Sequence, residues 1–247
     1  MTTLVLALVA GAVIGLALGG LGGGGSVLAV PALIYLLGFT PAEATTASLV
    51  IVTLTSVTAL AGHARDGNVV WRTGLLFAAA GILPAMLAGA AAGHLPQAVL
   101  TIAFSVIAAL AAVRMLRPAR AGSTGRVSPG RAGAAGAGLG AVTGFLGVGG
   151  GFLAVPALVG VLKLPMRRAV GTSLLVITIN SLAALGARAG SGTHLDWAVI
   201  APFTAAAVLG AWDGKRLSKK LKGGTLQRVF AYVLLAVAVF MLVDALL

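Results

Sequence analysis

Long apolar segments recur along the whole chain, separated by short stretches of glycine, proline and charged residues. Most of them have about the 20 residues that an α-helix needs to cross the hydrocarbon core of a bilayer. The pattern therefore predicts an all-α integral membrane protein. The ten segments lie at about residues 3–19, 26–38, 44–62, 73–92, 97–116, 132–147, 151–163, 169–188, 197–212 and 226–247.

Two of these segments, 26–38 and 151–163, are too short to span a membrane. A helix of 13 residues is about 20 Å long, against about 30 Å for the hydrocarbon core. Each short segment follows a glycine-rich run. We therefore expect two Gly-tipped helices that are either re-entrant or one arm of a broken helix.

The amino-acid composition excludes a separate soluble domain. The chain is 59% hydrophobic and only 9% charged, whereas soluble domains carry about 25% charged residues. Its net charge of +12 comes from basic residues between apolar segments, where the positive-inside rule places them. The charge therefore indicates a lipid bilayer as the partner and no nucleic acid. With no cysteine in the chain, no disulfide forms.

The chain contains an internal duplication. Residues 20–33 (GLGGGGSVLAVPAL) match residues 145–158 (FLGVGGGFLAVPAL) at ten of fourteen positions, with a constant offset of 125. The same offset aligns ATTASL, from Ala44, with AVGTSL, from Ala169. The run GGGGS looks like an engineered linker, but a linker would not recur in a matching apolar context. A cleaved signal peptide is the alternative for the N-terminus, but that segment lacks a basic start and belongs to the repeat.

Two repeats of five segments each follow from this offset, joined by a basic stretch rich in glycine, serine and proline. We place the first repeat at 1–116, a cytoplasmic linker at 117–131 and the second repeat at 132–247. Because five is odd, the two repeats must cross the membrane in opposite directions. Loop charges agree, since the positive member of each pair of equivalent loops switches between the repeats. Both termini are then outside, and the cytoplasmic loops are 63–72, 114–131, 163–168 and 213–228.

Short glycine-interrupted segments at matching positions of two inverted repeats indicate a transporter's binding site. Backbone N–H groups and the helix dipole at the start of a short helix attract an anion, and glycine lets the ligand approach the backbone. The alternative is that these glycines only form tight hairpins and close helix contacts. The candidate residues are Gly23, Gly24, Gly25 and Ser26 in the first repeat, and Gly149, Gly150 and Gly151 in the second.

Hydroxyl groups form a second candidate constellation, because they donate hydrogen bonds to an oxyanion without carrying charge. Helix capping and hydrogen bonding between helices are the alternatives for these residues. Asn180 is the most polar residue deep within a segment, and is included as a binding residue. The hydroxyl candidates are Thr45, Thr46 and Ser48 in the first repeat, and Thr172 and Ser173 in the second.

The carboxylates all lie near segment ends, which favours an anion or a neutral molecule over a cation as substrate. Glu43 either protonates during transport or simply starts a helix, as the dipole favours. The three histidines fall in loops or at segment ends without metal-ligand spacing. No G-x-S-x-G motif is present. We therefore predict no enzyme activity, no catalytic residue, no metal and no cofactor.

The duplicated motifs GGLGGGGSVLAVPAL and GFLGVGGGFLAVPAL, each followed by an A-x-x-T-S-L-like motif, resemble the TauE/SafE family of sulfite and organosulfur anion exporters. The resemblance covers essentially the whole chain. It implies a multi-pass transporter of the bacterial inner membrane for sulfite or a sulfonated two-carbon compound. The first half differs from the second at Thr46-Ala47, which aligns with Gly171-Thr172. The site is therefore expected to be asymmetric.

The sequence thus predicts a transporter of a small anion that works by alternating access between two inverted repeats. A passive anion channel shares every feature above and is the main alternative. A non-transporting accessory membrane protein is the second. The substrate within this class, the coupling ion, the direction and the oligomeric state are not determined by these residues.

Overall fold

The computed structural model describes residues 2–92, 97–116, 128–145, 151–188 and 195–246. Within these ranges the chain forms ten α-helices and a π-helical turn, without β-strands. The first half contains α1 (Thr2–Leu21), α2 (Gly24–Pro31) with the π-helical turn Ala32–Leu36, α3 (Pro41–Arg65), α4 (Trp71–Ala92) and α5 (Gln97–Leu116). The second half contains α6 (Pro129–Phe145), α7 (Gly151–Gly160), α8 (Met166–Arg188), α9 (Trp197–Lys220) and α10 (Gly223–Leu246).

The predicted all-α membrane fold is confirmed. Among the described helices, α1, α3, α4, α8, α9 and α10 are long and apolar enough to cross a bilayer. Large apolar side chains such as Leu83, Leu87 and Leu209 lie at least 65% exposed, as expected where lipid is the solvent. The two short helices are also present, with 8 residues in α2 and 10 in α7. The π-helical turn directly follows Pro31, which cannot supply the N–H of a regular α-helical turn.

Helix ends differ from the predicted segments at charged residues. The apolar segment predicted to end at 212 continues as α9 to Lys220, because long basic side chains lie along a helix while their charges reach water. α6 begins at Pro129, inside the predicted linker, and the Ser128 hydroxyl accepts a hydrogen bond from the Arg131 N–H. The rest of the linker, 117–127, lies outside the described residues.

Close backbone contacts join helices of the two halves. A Cβ on Gly11 of α1 would clash with the Phe203 carbonyl oxygen of α9, and one on Gly136 of α6 with the Phe77 carbonyl oxygen of α4. Gly136 lies 125 residues after Gly11, and Phe203 lies 126 residues after Phe77. The duplicated residues therefore make duplicated contacts, with small residues letting the helix backbones approach as in other membrane helix pairs.

The directions of these helices can be read from their contacts. Along α1 and α9 the contacts advance together, so the two helices are parallel. Between α3 and α8 they advance in opposite directions: Arg188 donates to Thr46 at 3.1 Å, and Thr178 donates to Ser56 at 2.9 Å. The equivalent helices α3 and α8 are thus antiparallel, as an inverted repeat requires. The inversion of the whole halves stays a prediction, which these directions support.

Candidate functional site

The first glycine run forms a sharp turn between α1 and α2. Gly22 has a φ of +75°, in the left-handed region that glycine adopts at little cost. Its N–H donates to the Leu18 carbonyl at 2.8 Å and ends α1. Gly25 has a different role, because a Cβ there would lie 2.6 Å from the Ile14 carbonyl oxygen of α1. Gly25 is therefore a close-packing residue in this structure, which is one of the two interpretations the sequence left open.

The turn at Gly22 lies against the second half of the chain. A Cβ on Gly22 would lie 2.5 Å from the Ser173 hydroxyl oxygen, 3.3 Å from Val155 Cγ2 and 3.3 Å from the Val170 carbonyl oxygen. Val155 belongs to α7, and Ser173 and Val170 belong to α8. The glycine turn of one half and the T-S-L motif of the other half therefore form one buried junction.

Thr172 and Ser173 are both fully buried. The Ser173 hydroxyl donates to the Val170 carbonyl at 2.8 Å, while the Thr172 oxygen accepts a hydrogen bond from the Val70 N–H at 3.0 Å. Val70 lies in the loop that leaves α3, so Thr172 anchors that loop on α8. The Ser173 hydroxyl must turn away from its carbonyl before it donates to a ligand.

The hydroxyls of the first half bond in the same way. Thr45 donates to the Pro41 carbonyl, Thr46 to the Ala42 carbonyl, and Ser48 to the Thr45 carbonyl. Ser48 and Ser173, equivalent by the offset of 125, thus each donate to the carbonyl three residues before them. These bonds within the helix are the alternative that the sequence left open for hydroxyls in membrane helices.

Arg188 is a cationic neighbour that the sequence analysis did not select. Its guanidinium donates to the Thr46 hydroxyl oxygen at 3.1 Å, from the last residue of α8 to the first turns of α3. A guanidinium is permanently charged and has five N–H donors, so it recognises oxyanions well. Arg188 therefore places a positive charge beside the candidate Thr46.

Asn180 lies half-buried in α8, and its side-chain oxygen is shut off from solvent without a hydrogen-bond partner among the described residues. A half-turn of the amide would present two N–H donors at the same place. Gly23, Gly24 and Ser26 lie at the turn and in the first turn of α2, and Gly151 begins α7. The candidates Gly149 and Gly150 lie outside the described residues.

His63 is a second residue that the sequence analysis passed over. It is 3% exposed near the end of α3, and its Nε2 lies 3.1 Å from the Gly19 carbonyl oxygen in the last turn of α1. The offset of 125 equates His63 with Arg188. Two basic residues at equivalent ends of a duplicated helix were the signal in the sequence that could have indicated both.

Asp66 follows α3 and binds two lysines of α9. Its carboxylate lies 3.0 Å from the Lys215 ammonium and 3.0 Å from the Lys219 ammonium. Burial disfavours the charged form of this carboxyl, but the hydrogen bonds from the two lysines outweigh burial and hold the pKa of Asp66 below its usual range. The three residues form an ion-pair cluster at the same ends of α3 and α9.

Comparison with known proteins finds matches over nearly the whole chain. The family model for the sulfite exporter TauE/SafE matches residues 7–241. A probable membrane transporter protein of Xylella fastidiosa (strain Temecula1) is 32% identical, over 97% of this chain and 95% of that protein. The probable membrane transporter protein YunE of Bacillus subtilis (strain 168) is 27% identical, over 94% of this chain and 93% of that protein. No solved structure matches the chain significantly.

The chain belongs to the TauE/SafE sulfite exporter family. The resemblance found in the duplicated glycine and T-S-L motifs is thereby confirmed. Together with the apolar helices, the family match establishes a multi-pass membrane transporter.

Proposed function

We propose that this member of the TauE/SafE family transports a small oxyanion, either sulfite or a sulfonated two-carbon compound, across the bacterial inner membrane by alternating access. The observation that carries the proposal is the junction of Gly22 with Ser173. It joins a buried glycine turn of one half, at the start of a short helix, to hydroxyl groups of the other half. A ligand bound there contacts elements of both halves, as in transporters whose binding sites lie where two inverted repeats meet.

The chemistry of the junction favours an anion. The first N–H groups of a helix lack partners within the helix, and its dipole makes that end positive. The carboxylates, which would otherwise bind a cation, are all engaged elsewhere. Glu43 caps α3 with Thr40, Asp66 binds Lys215 and Lys219, Asp196 caps α9, Asp213 pairs with Arg216, and Asp244 accepts from Tyr35.

The helix contacts suggest which parts move. Backbones in direct contact join α1 to α9 and α4 to α6. These pairs move as rigid bodies, because a packed interface of this kind does not deform gradually. Each rigid body therefore contains helices from both halves. Between them, α3 crosses α8 through the hydroxyl pair Ser56 and Thr178, and Ser173 of the proposed site belongs to the same helix as Thr178.

Counterflow in proteoliposomes tests the proposal. Vesicles containing purified protein are loaded with unlabelled sulfite and diluted into a trace of ³⁵S-sulfite. A carrier accumulates the label transiently above its equilibrium level, and unlabelled sulfoacetate competes while acetate does not. Equilibration without transient accumulation would indicate a passive channel instead. If sulfite, sulfate, sulfoacetate and acetate all fail to move or bind, the proposal is wrong and an accessory membrane protein is favoured instead.

A further inference from the structure

One nitrogen of the His63 imidazole forms a hydrogen bond, and the other has no partner among the described residues. A carbonyl oxygen only accepts hydrogen bonds, so the Nε2 that lies 3.1 Å from the Gly19 carbonyl carries the hydrogen. Nδ1 then holds a lone pair in the neutral ring. This nitrogen is shut off from solvent and has no hydrogen-bond partner among the described residues. A buried polar atom without a partner is costly, so this nitrogen is a candidate for a bound ligand or a proton.

His63 contacts the helical turn that leads into the proposed anion site. Gly19 is three residues before Gly22, in the last turn of α1. The carbonyls of that turn form the negative end of the helix dipole, which favours a positive charge on the imidazole. The contact with the Gly19 carbonyl therefore stabilises a protonated His63. Gly19 lies within one helical turn of Gly22, which contacts Ser173.

The charged groups around His63 carry a net positive charge. Asp66 balances only one of the two lysines that bind it, Lys215 and Lys219. Neither α1 nor α2 carries an ionisable side chain. On α8, Arg167 donates to the carbonyls of Lys219 and Leu221, and Arg188 donates to Thr46 at the far end. Asp66, Lys215 and Lys219 together carry one positive charge, and Arg167 adds another beside Lys219. A bound anion would therefore compensate a further positive charge on His63.

We propose that His63 takes up one proton together with the transported anion, which makes the carrier proton-coupled. This inference rests on the proposed function. When the site opens to one side of the membrane, a hydronium ion of that aqueous phase gives up the proton and becomes water. The proton adds to the lone pair of Nδ1 and turns that nitrogen into a donor toward the oxyanion. It leaves with the anion when the site opens to the other side. Because linkage is reciprocal, protonation and anion binding strengthen each other equally.

Histidine suits this role because its charge changes in the physiological pH range. The carboxylates of the chain are held at helix ends or in ion pairs, as described above. The position equivalent to His63 in the second half is Arg188, whose charge is fixed. The duplicated helix thus ends in a switchable cation in one half and a permanent cation in the other.

The test compares sulfite binding by the purified protein and its variants between pH 5.5 and 8, with proton uptake measured in weakly buffered solution. His63→Gln keeps an N–H for the Gly19 carbonyl but does not titrate, and His63→Arg carries a fixed charge. His194→Gln is the control for removing a histidine elsewhere. Sulfite's own titration is common to all four proteins, so the differences between them report His63.

We compare how much the sulfite affinity of each protein rises when the pH falls by one unit. For the wild type and His194→Gln, this rise should exceed the rise for His63→Gln by a factor of up to about ten. On binding each anion, the wild type and His194→Gln should also take up close to one more proton than His63→Gln does. His63→Gln should stay at the affinity of the wild type's alkaline limit and His63→Arg at that of its acidic limit. Either variant suffices if the other fails to fold. Wild-type pH dependence and proton uptake in a folded His63 variant would overturn the proposal, whereas loss of sulfite binding in every protein would overturn the proposed function.

Discussion

Gly22 and Ser173 belong to different halves of the chain, and the Ser173 hydroxyl oxygen lies 2.5 Å from the place where a Cβ on residue 22 would be. Two independent requirements therefore keep this residue a glycine. Its backbone has a left-handed φ of +75°, and the space where a side chain would begin is already filled. The glycine turn and the T-S-L motif pack closely against each other, so a substitution in one should displace the side chains of the other.

We predict that Gly22→Ala strongly impairs both folding stability and transport. The left-handed conformation alone costs an L-residue about 1–2 kcal/mol, and the contact with Ser173 adds to that cost. Gly67→Ala is the matched control, because Gly67 has a φ of +67° with no atom within 4 Å of the added Cβ. Thermal unfolding and counterflow are measured for both.

The added Ser173→Ala substitution should partly restore the unfolding temperature of Gly22→Ala, because it removes the nearest atom and leaves contacts at 3.3 Å. Its effect on transport is separate, since it also removes a candidate binding hydroxyl. Equal behaviour of Gly22→Ala and Gly67→Ala would show that the junction is not fitted as described.

The contact of α1 with α9 gives a second prediction. A Cβ on Gly15 would clash with the Ala207 carbonyl oxygen, whereas one on Gly138 in α6 meets open space. Gly15→Ala should therefore destabilise the protein by about 1–3 kcal/mol, the usual cost of overpacking. Gly138→Ala should be neutral or slightly stabilising, because alanine favours helix more than glycine does. Unfolding temperatures in detergent that fall equally in both variants would contradict this packing.

Much of the fold could be predicted because apolar length and glycine runs are local signals. They gave all ten helices, including the short α2 and α7. The end of α9 was missed because Lys215, Lys219 and Lys220 resemble a loop by composition, although their side chains let a helix continue toward water. The contact of Gly22 with Ser173 could not be predicted, since it depends on how two distant segments pack. His63 was set aside because the histidines lie in loops or at segment ends without metal-ligand spacing. Its contact with the Gly19 carbonyl depends on how α1 and α3 pack.

Stability should depend on pH through Asp66. Its pKa lies below the usual value because Lys215 and Lys219 bind the carboxylate. The stabilisation by Asp66 is therefore present above the unfolded-state pKa of about 3.9 and is lost as the pH falls through the lower folded-state pKa. Wild type should unfold at a higher temperature than Asp66→Asn near pH 6, and the difference should vanish in strong acid.

Asp213→Asn is the control for this experiment. Asp213 lies 3.6 Å from Arg216 with both side chains 69% exposed, and exposed pairs of this kind contribute little. It should unfold like the wild type throughout. If Asp66→Asn also unfolds at the wild-type temperature near pH 6, the ion-pair cluster does not stabilise the fold.

The orientation of α3 can be tested with single cysteines, because the chain has none. Gly38 and Gly67 lie before and after α3, both with a positive φ and open space around them. The loop charges place position 38 outside and position 67 in the cytoplasm. An impermeant maleimide should label Gly38→Cys in intact cells and Gly67→Cys only after permeabilisation. The reverse result would refute the predicted topology.

The position of a bound oxyanion tests the central claim most directly. Selenite is a close analogue of sulfite, and selenium scatters X-rays anomalously, so a crystal of the protein grown with selenite reveals where the anion binds. The account predicts an anomalous peak at the junction of the two halves, within hydrogen-bond distance of the backbone N–H groups after Gly22 and of Thr172 or Ser173. A selenium site confined to the lysines of α9 or to another surface, with the junction filled only by protein, would contradict it.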